Sequence, residues 1–372
     1  MARTGSSAGR QVIWLIGPFP PPLHGQAVYN AAFAAHLRAH GALHVLGTGE
    51  GAASKLAATA RILFAVLFRM RARDVVYTSM PGQMGAWLFA PVVAALRLRG
   101  LRHFVHHHSY RSIVLGPLRV MRLVAALGGG LQHHILLSPV MRDRFAALYL
   151  GAGTSREGAN RAHALSNALL FCPPAAQVPD RPARPATIGH LSVLTREKGV
   201  DAVIGLFRRL APEHPDLRLI LAGPVADDGL RAEIEQAVAD FPERVDYRGA
   251  VSGDAKREFF RDVDLFLLPT RLVDEAEPLV MMESYAAGVE FMGTARGCIA
   301  ERLRHPDRLL TGALDDDAAR VGAVLAHAAD WAALRRACGD HAEHLHAVAV
   351  GEAEALFDTM LAPARRAAAS LR

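Results

Sequence analysis

Residues 186–222 read ATIGHLSVLTREKGVDAVIGLFRRLAPEHPDLRLILA. The apolar runs Ala186–Leu191 and Leu217–Leu221 are short and rich in leucine and isoleucine, as is typical of buried strands. Between them, Val200–Ala211 carries apolar residues at helical spacing. A strand, a helix and a second strand in this order predict one unit of a parallel sheet with a crossover helix.

The same alternation continues on both sides of this segment. Further strands are predicted at Val12–Ile16, Leu43–Val45, Val75–Tyr77, Phe104–His108, His134–Leu137, Val245–Tyr247 and Leu265–Leu268. Further helices are predicted at Ala27–His40, Gly85–Leu98, Pro139–Tyr149, Asp228–Phe241 and Asp254–Arg261. The fold class expected from this pattern is α/β, with two tandem Rossmann-like domains, parallel sheets and an interdomain cleft in which ligands bind.

A proline-rich stretch separates the two runs of the pattern. We therefore expect an amino-terminal domain over residues 1–172, a linker over 173–185 and a second domain over 186–350. Residues 351–372 are helix-prone and rich in alanine and arginine. They are interpreted either as a helix that returns to the first domain or as an exposed charged helix.

The composition excludes several classes of protein. Hydrophobic residues make up 51% of the 372 residues and charged residues 21%, which excludes a disordered chain. The three cysteines have no close spacing, so neither a disulfide framework nor a cysteine zinc site is indicated, and a reducing compartment is expected. The amino terminus lacks the pattern of a secretory signal, and Val75–Leu96 is interpreted as strand, loop and helix rather than a membrane span.

The charge is distributed unevenly along the chain. Residues 1–185 hold 20 lysines and arginines against 5 acidic residues, whereas residues 186–372 hold 22 against 31. A basic domain attracts anionic lipid head groups, phosphorylated acceptors or nucleic acid. Arginines also border the apolar stretches Ile62–Phe68 and Gly85–Leu98, a pattern that suits a membrane surface but also fits buried helices with solvated ends.

The loop after the first predicted strand is the first candidate for a site. It runs from Gly17 to Gln26, and the following helix would offer free N–H groups to an anion. His24 belongs to this loop, and Gly25 would let a ligand approach the backbone closely. Because neither a dinucleotide fingerprint nor a Walker lysine is present, a plain strand-to-helix turn remains the alternative.

Histidines end another predicted strand, at His106–His108. Alternation places His106 and His108 on one face. No metal-ligand spacing accompanies them, so no metal site is predicted. One histidine there could bind a sugar hydroxyl or assist its chemistry, and the alternative is a packed core or surface ring.

The most specific stretch is Glu275–Gly288, which follows the strand Leu265–Leu268. Glu275 lies in a loop and Glu283 in the helix after it, separated by seven residues. Two carboxylates so placed can bind hydroxyl groups at two points of one ligand. The helix N-terminus between them offers N–H groups to a diphosphate.

These residues resemble the family 4 glycosyltransferases of the GT-B fold, in which an E-x7-E motif corresponds to Glu275 and Glu283. The resemblance covers most of residues 185–305 and is looser in the amino-terminal half. It rests also on His190–Val200, Leu221–Gly223, Tyr247–Gly249, Leu267–Thr270 and Thr294–Glu301, and on the Leu165–Ala168 segment before the linker.

The resemblance implies roles for individual residues. Glu283 would bind the ribose of a nucleotide-sugar, Glu275 would face the sugar hydroxyls, and Lys198 would contact the diphosphate. The donor-binding set would be completed by Arg196, Tyr247, Pro278, Leu279 and Val280. In the first domain, His108 would lie near the sugar, while Gly17, His24, Gly25 and Gln26 would form the acceptor and phosphate loop.

The implied reaction is transfer of a hexosyl-type sugar from a nucleoside diphosphate sugar to a hydroxyl, with retention and without a metal ion or other cofactor. The acceptor would be a saccharide or a lipid-linked molecule in exopolysaccharide, lipopolysaccharide or other glycoconjugate synthesis. The expected location is cytoplasmic, peripheral at the inner membrane through the basic domain.

The sequence also departs from the family pattern. Val193 stands where an arginine is usual, and Gly25-Gln26 and Gly297-Cys298 replace glycine pairs. A phosphorylase or epimerase of the same fold stays open, as does a non-enzymatic nucleotide binder. Nucleic-acid binding is disfavoured, because aromatic residues make up only 6% of the chain and no stacking or zinc module is seen.

Overall fold

The computed structural model describes residues 12–21, 24–82, 84–151, 160–173, 186–326 and 331–362. The chain divides into two units, one formed by residues 1–166 and 350–372 and the other by residues 167–349. The predicted linker lies outside the described residues except for Pro173, and so do residues 363–372 of the carboxyl-terminal segment.

The amino-terminal unit contains a six-stranded parallel sheet in the order β2-β1-β3-β4-β5-β6. Its strands are β1 (Val12–Gly17), β2 (Ala42–Gly47), β3 (Val75–Ser79), β4 (Arg102–His106), β5 (Gln132–Leu136) and β6 (Ala162–Ala164). Its helices are α1 (Gly25–Arg38), α2 (Gly51–Phe64), α3 (Met84–Leu98), α4 (Arg111–Val114), α5 (Arg119–Gly128) and α6 (Pro139–Tyr149). The strand order reverses at β1, so the loops after β1 and β3 leave the sheet at a topological switch point.

The carboxyl-terminal unit contains a second parallel sheet in the order β12-β11-β10-β7-β8-β9. Its strands are β7 (Thr187–Leu191), β8 (Arg218–Ala222), β9 (Val245–Tyr247), β10 (Leu265–Leu268), β11 (Glu290–Thr294) and β12 (Leu309–Leu310). Its helices are α7 (Ala168–Phe171), α8 (Val200–Leu210), α9 (Asp228–Asp240), α10 (Gly253–Asp262), α11 (Leu279–Ala286), α12 (Ile299–Arg302) and α13 (Leu314–Ala326). Here the switch point lies between β7 and β10.

Apolar residues from strands and crossover helices form the core of the second unit. Phe207 of α8 and Leu219 of β8 are fully buried, as are Leu267 of β10 and Met292 of β11. Burial of this apolar surface is the main favourable term in folding. The predicted strands in this unit are confirmed, and β11 and β12 are additional.

The last described helix, α14 (Trp331–Leu361), contributes residues to both units. Within the amino-terminal unit, the Phe357 ring stacks on His40 at 4.2 Å and on Phe33 at 6.3 Å. Arg102 of β4 donates a hydrogen bond to the Thr359 carbonyl. Residues 350–361 therefore pack within the first unit.

The segment Val75–Leu98 is β3, a short connection and α3, as predicted. A different helix, Gly51–Arg69, in which α2 continues as a π-helical turn, has the length and apolar composition of a membrane-crossing helix among the described residues. Only 22% of its most apolar 18 residues are buried. Its outer face exposes Leu56, Phe64, Leu67 and Phe68.

Candidate functional site

Two loops meet at the switch point of the carboxyl-terminal unit. The Thr270 hydroxyl and the Arg271 backbone N–H, both after β10, donate to the Glu197 carbonyl at 3.2 and 2.6 Å. Gly199 has a φ of 82°, and a Cβ atom there would lie 2.3 Å from the Pro269 carbonyl oxygen. Only glycine permits this close approach, which fixes the loop carrying Lys198 against the loop after β10.

Lys198 and Glu275 are brought together by this arrangement. The Lys198 Nζ atom lies 2.7 Å from Glu275 Oε2, with side chains 24% and 8% exposed. The loop after β11 fixes the residue next to Glu275, because the Cys298 N–H donates to the Ala276 carbonyl at 2.7 Å. At Gly297, φ is 56° and a Cβ atom would lie 2.1 Å from that carbonyl oxygen, so this position also requires glycine.

Glu277 lies between the two signature glutamates, but it has a structural role. Its carboxylate accepts hydrogen bonds from Arg302 Nε at 2.6 Å and from the Asn167 N–H at 2.5 Å. Asn167 also donates through its side chain to the Glu277 carbonyl at 2.7 Å. These buried contacts join the loop before α11 to α7 and α12, which fixes the position of α11.

Glu283 projects from α11 and is paired on one oxygen only. Lys256 Nζ of α10 lies 2.6 Å from Glu283 Oε1. The other oxygen, Oε2, is buried and has no hydrogen-bond partner among the described residues. Burial raises the pKa of Glu283, and the adjacent Lys256 opposes that rise. A buried carboxylate oxygen without a donor is costly unless a ligand supplies one.

Helix α11 begins after Pro278, with Leu279 and Val280 in its first turn. The first N–H groups of a helix have no intrahelical acceptor, so this end of α11 can bind an anion near Glu275 in the sequence. The Val280 carbonyl already accepts the Ser284 hydroxyl at 2.6 Å.

Arg196 and Tyr247 make contacts of their own. The exposed Arg196 guanidinium forms a bidentate pair with Glu233 of α9 at 2.7 and 3.2 Å, which raises the pKa of Arg196. The Tyr247 hydroxyl donates to the Gly223 carbonyl at 3.0 Å, tying the ends of β8 and β9 together. Neither residue contacts Lys198 directly by a hydrogen bond in the described structure.

The predicted loop of the amino-terminal unit follows β1 and leads into α1. His24 caps α1, because its Nδ1 accepts the Ala27 N–H at 3.3 Å. Nothing lies within 4 Å of a Cβ atom built on Gly25, so the space before it is open. Gln26 donates to Ser79 and Met80 at 2.7 and 3.0 Å. A Cβ atom at Gly17 would lie 2.7 Å from the Asn30 amide nitrogen, which explains the glycine.

His108 lies two residues beyond the end of β4 rather than within it. Its ring packs on Tyr29 at 4.6 Å and on His106 at 4.2 Å, so the two histidines do share a face. The residue is half-buried, yet its Nε2 is shielded from solvent and has no hydrogen-bond partner among the described residues. Burial lowers the pKa of His108 to about 3, so the ring is neutral near pH 7.

Comparison with known proteins shows what the second unit resembles. Residues 175–340 match the family described as glycosyl transferases group 1. This segment is similar to a group 1 glycosyl transferase domain. Over 143 residues the chain is 29% identical to the phosphatidylinositol N-acetylglucosaminyltransferase gpi3 subunit of Schizosaccharomyces pombe. That alignment covers 37% of this chain and 30% of the yeast protein.

Solved structures resemble most of the chain, including this segment. HepE of Anabaena, in complex with UDP-glucose, has a TM-score of 0.67 at 16% identity, covering 94% of this chain and 99% of that one. A UDP-forming α,α-trehalose-phosphate synthase from Burkholderia xenovorans has a TM-score of 0.67 at 13% identity, with 94% and 98% covered. The predicted GT-B fold is confirmed.

In the carboxyl-terminal unit, sequence reasoning missed Lys256. A signal for it exists in the composition. The chain has 42 basic residues, but only Lys55, Lys198 and Lys256 are lysine. Two of these three lysines pair with the two glutamates of the E-x7-E motif.

No group of three or more histidine, cysteine, aspartate or glutamate side chains that could hold a metal ion occurs among the described residues, which include most of the carboxyl-terminal unit.

Proposed function

We propose that the chain is a retaining glycosyltransferase that moves a hexosyl group from a UDP-sugar to an acceptor hydroxyl in glycoconjugate synthesis. The observation that carries the proposal is a pair of glutamates that each bind a lysine. Lys198 pairs with Glu275, and Lys256 pairs with Glu283. The N-terminus of α11 lies between the two glutamates in the sequence. The choice of uracil as the base is supported by the solved relatives that contain UDP or UDP-glucose.

In this proposal Glu283 Oε2 accepts the ribose hydroxyls, which supply the donor that this buried oxygen lacks. Glu275 accepts hydroxyls of the transferred sugar through the oxygen not bound to Lys198.

The reaction breaks the bond between the anomeric carbon and the diphosphate oxygen, and the bonding pair leaves with UDP. The acceptor oxygen forms the new bond on the same face, and its proton passes to the departing phosphate oxygen. Lys198 and the N-terminus of α11 stabilise the charge on the leaving diphosphate without a metal ion.

The test is a thermal-shift panel of UDP, GDP and ADP with their glucose conjugates, on the native chain and on Lys198→Ala. A ligand at 100 times its Kd adds about 2.7 kcal/mol, so UDP should raise Tm by roughly a few degrees. Arg209→Ala, which removes an exposed guanidinium from α8, is the matched control. The proposal requires a shift with UDP that Lys198→Ala weakens and Arg209→Ala does not.

Catalysis and stereochemistry are tested in the same preparation. Transfer from UDP-glucose to an alkyl glucoside, with the anomeric proton followed by NMR, should give an α-glycosidic linkage, which does not mutarotate, and should persist in EDTA. An inverted product would contradict retention, and loss of activity in EDTA would contradict metal-independent transfer. Phosphate-dependent release of glucose 1-phosphate would instead identify a phosphorylase.

We further propose that the enzyme works in the cytoplasm at the inner membrane surface. Phe68 and Leu98 are 71% and 83% exposed on the amino-terminal unit, and Phe64 lies beside Phe68. Arginines flank these apolar residues at positions 61, 69, 71, 97 and 99, which suits an anionic lipid surface. The double variant Phe64→Ser, Phe68→Ser should no longer sediment with phosphatidylglycerol vesicles. Equal sedimentation of the native chain with phosphatidylglycerol and with neutral vesicles would exclude a contribution of the arginine charges to binding.

A further inference from the structure

A buried histidine and a serine lie at the carboxyl end of β7, beside the switch point of the carboxyl-terminal unit. His190 is fully buried, and its Nδ1 atom lies 2.8 Å from the Leu267 carbonyl oxygen of β10. Ser192 is the first residue after β7 and is half-buried, and its Oγ atom lies 2.8 Å from His190 Nε2. The serine hydroxyl thus extends the contacts of the buried ring toward the end of the sheet where ligands bind in such folds.

These contacts need more protons than the neutral pair has. The Leu267 carbonyl oxygen can only accept, so His190 Nδ1 carries a proton and Nε2 of the neutral ring is an acceptor. Ser192 Oγ also lies 2.9 Å from the Val193 carbonyl oxygen, which is a second acceptor. One hydroxyl proton cannot serve both Nε2 and this carbonyl. Three contacts therefore share two protons.

A third proton would complete the chain of hydrogen bonds. In the imidazolium form of His190, Nδ1 donates to Leu267, Nε2 donates to Ser192 Oγ, and the hydroxyl proton can be donated onward. The protein without ligand does not hold this proton near pH 7. Burial lowers the pKa of His190 to about 4, the hydrogen bond to Leu267 opposes that fall, and the positive charge of Lys198 adds to it.

The charge near His190 would change when an anion binds. Among the described residues, Lys198 is the charged side chain that acts on His190, and Lys198 itself pairs with Glu275. The Phe266 ring of β10, which stacks on His190 at 6.0 Å, carries no charge. A diphosphate at Lys198 would bring more negative charge than the lysine has positive charge. Its field would therefore favour the imidazolium.

We propose that Ser192 is a ligand of the donor diphosphate, and that His190 positions the Ser192 hydroxyl by taking up one proton as the diphosphate binds. The inference rests on the proposed function, which places the diphosphate at Lys198. The proton comes from solvent and bonds to His190 Nε2, which then donates to Ser192 Oγ. The hydroxyl proton turns to a phosphate oxygen. The site gains a positive charge only while the anion is bound.

The test observes the His190 ring directly, by nitrogen NMR of the intact, isotope-labelled chain. The signal is identified by its absence in His190→Gln. UDP-glucose is the probe, because its diphosphate is esterified at both ends and exchanges no proton near neutral pH. At pH 7 the ring should be neutral without ligand, and saturation with UDP-glucose should move Nε2 to the chemical shift of an imidazolium. Glu283, whose pKa burial raises, can change a total proton count but not this signal.

Affinity gives a second readout. Uptake of one proton lowers the Kd for UDP-glucose by up to about tenfold for each unit that the pH falls, so calorimetry at pH 8 and pH 6.5 should show tighter binding at pH 6.5. Ser192→Ala should remove the NMR change and weaken this pH dependence. His190→Gln has an amide that does not titrate, and its Kd should be nearly the same at both pH values. His344→Gln, at an exposed position of α14, is the matched control and should keep the native dependence. Melting temperatures report whether each variant is folded.

A His190 ring that stays neutral with UDP-glucose bound would overturn the inference and leave the proposed function in place. An unchanged NMR response in Ser192→Ala would equally overturn it. Inorganic diphosphate is the second probe, because it carries the bound group without uracil or a sugar. Protonation of His190 by inorganic diphosphate, without any binding of UDP-glucose, would instead contradict the proposed function and support the role of the pair. No response to either probe would overturn both.

Discussion

Lys256 Nζ lies 2.6 Å from Glu283 Oε1, and the second oxygen of that carboxylate is buried without a partner among the described residues. The pair is therefore half-satisfied. Burial raises the pKa of Glu283 and the lysine opposes that rise, while the remaining oxygen is available to a ligand hydroxyl. This explains why a glutamate in the middle of an apolar helix is tolerated.

Removing Lys256 should destabilise the protein in a pH-dependent manner. In Lys256→Met, Glu283 stays buried without its cation, at a cost of roughly 1–3 kcal/mol near pH 8. Because burial raises the pKa of folded Glu283 above its unfolded value, the charge penalty falls as pH drops through the folded pKa. The Tm deficit against the native chain should shrink between pH 8 and pH 5. When both chains carry Glu283→Gln, the Tm deficit caused by Lys256→Met should not vary with pH.

Glu283→Gln should weaken UDP binding. The amide removes the charge and keeps one acceptor, and a hydrogen bond to a charged group contributes about 1.5–3 kcal/mol, so Kd should rise roughly 10- to 150-fold. Glu233→Gln makes the same change at an exposed ion pair with Arg196 and should leave Kd nearly unchanged. Calorimetry measures the Kd for UDP of both variants. An equal rise in Kd in the two variants would show that Glu283 does not bind the nucleotide.

Gly199→Ala should disturb the loop that carries Lys198. The left-handed φ of 82° and the 2.3 Å approach to the Pro269 carbonyl leave no space for a methyl group, so we expect a loss of at least about 2 kcal/mol and weaker UDP binding. Gly205→Ala, within α8, is the control. Its Cβ atom would meet only Leu314 Cδ1 at 3.7 Å, and the change should be neutral or stabilising. Chemical denaturation of both variants measures the change in the free energy of unfolding.

The amino-terminal unit should lose stability in acid before the other unit. Burial lowers the pKa of His103, His107 and His108 to about 3, and those of His106 and His134 fall as well. These folded values lie below the unfolded value of about 6.5, so stability is complete above pH 6.5 and is lost as pH falls toward 3. Each such histidine contributes about 1.4 kcal/mol per pH unit.

Hydrogen exchange at pH 7.5, 6 and 5 measures this effect by unit. Strands β3 to β5 should exchange faster at pH 5. Strands β8 and β10 should lose less protection, because fewer histidines with a lowered pKa, His190 and His341, are described in the carboxyl-terminal unit. His134→Gln should reduce the slope of stability against pH. Uniform loss of protection in both units would contradict the role of the histidines.

The sequence predicted the fold well because parallel strands buried on both faces are read directly from short apolar runs. Strands such as Val245–Tyr247 have the predicted bounds. Among the described strands, β6, β11 and β12 were not predicted. β6 and β12 have only three and two residues, and β11 contains Glu290, whose buried carboxylate is matched by Arg304 and Arg308 from later in the chain. A pairing over that distance leaves no local pattern.

The site was predicted less completely. Glu275, Glu283 and Lys198 were predicted from their motifs, and the structure places Lys198 Nζ 2.7 Å from Glu275 Oε2. Lys256 was missed because its pairing with Glu283 depends on how α10 and α11 pack rather than on spacing. Gln26 was expected at a ligand, yet its amide donates to Ser79 and Met80. Ligand roles of these residues remain predictions.

The helix Trp331–Leu361 has a consequence for the order in which the protein is made. The first unit contains residues near the start of the chain together with Phe357, which packs on Phe33 and His40. A ribosome releases those early residues long before residue 357 exists. The first sheet therefore lacks part of its core during the synthesis of the second unit. That second unit is continuous from 167 to 349, so it can fold before the first unit is complete.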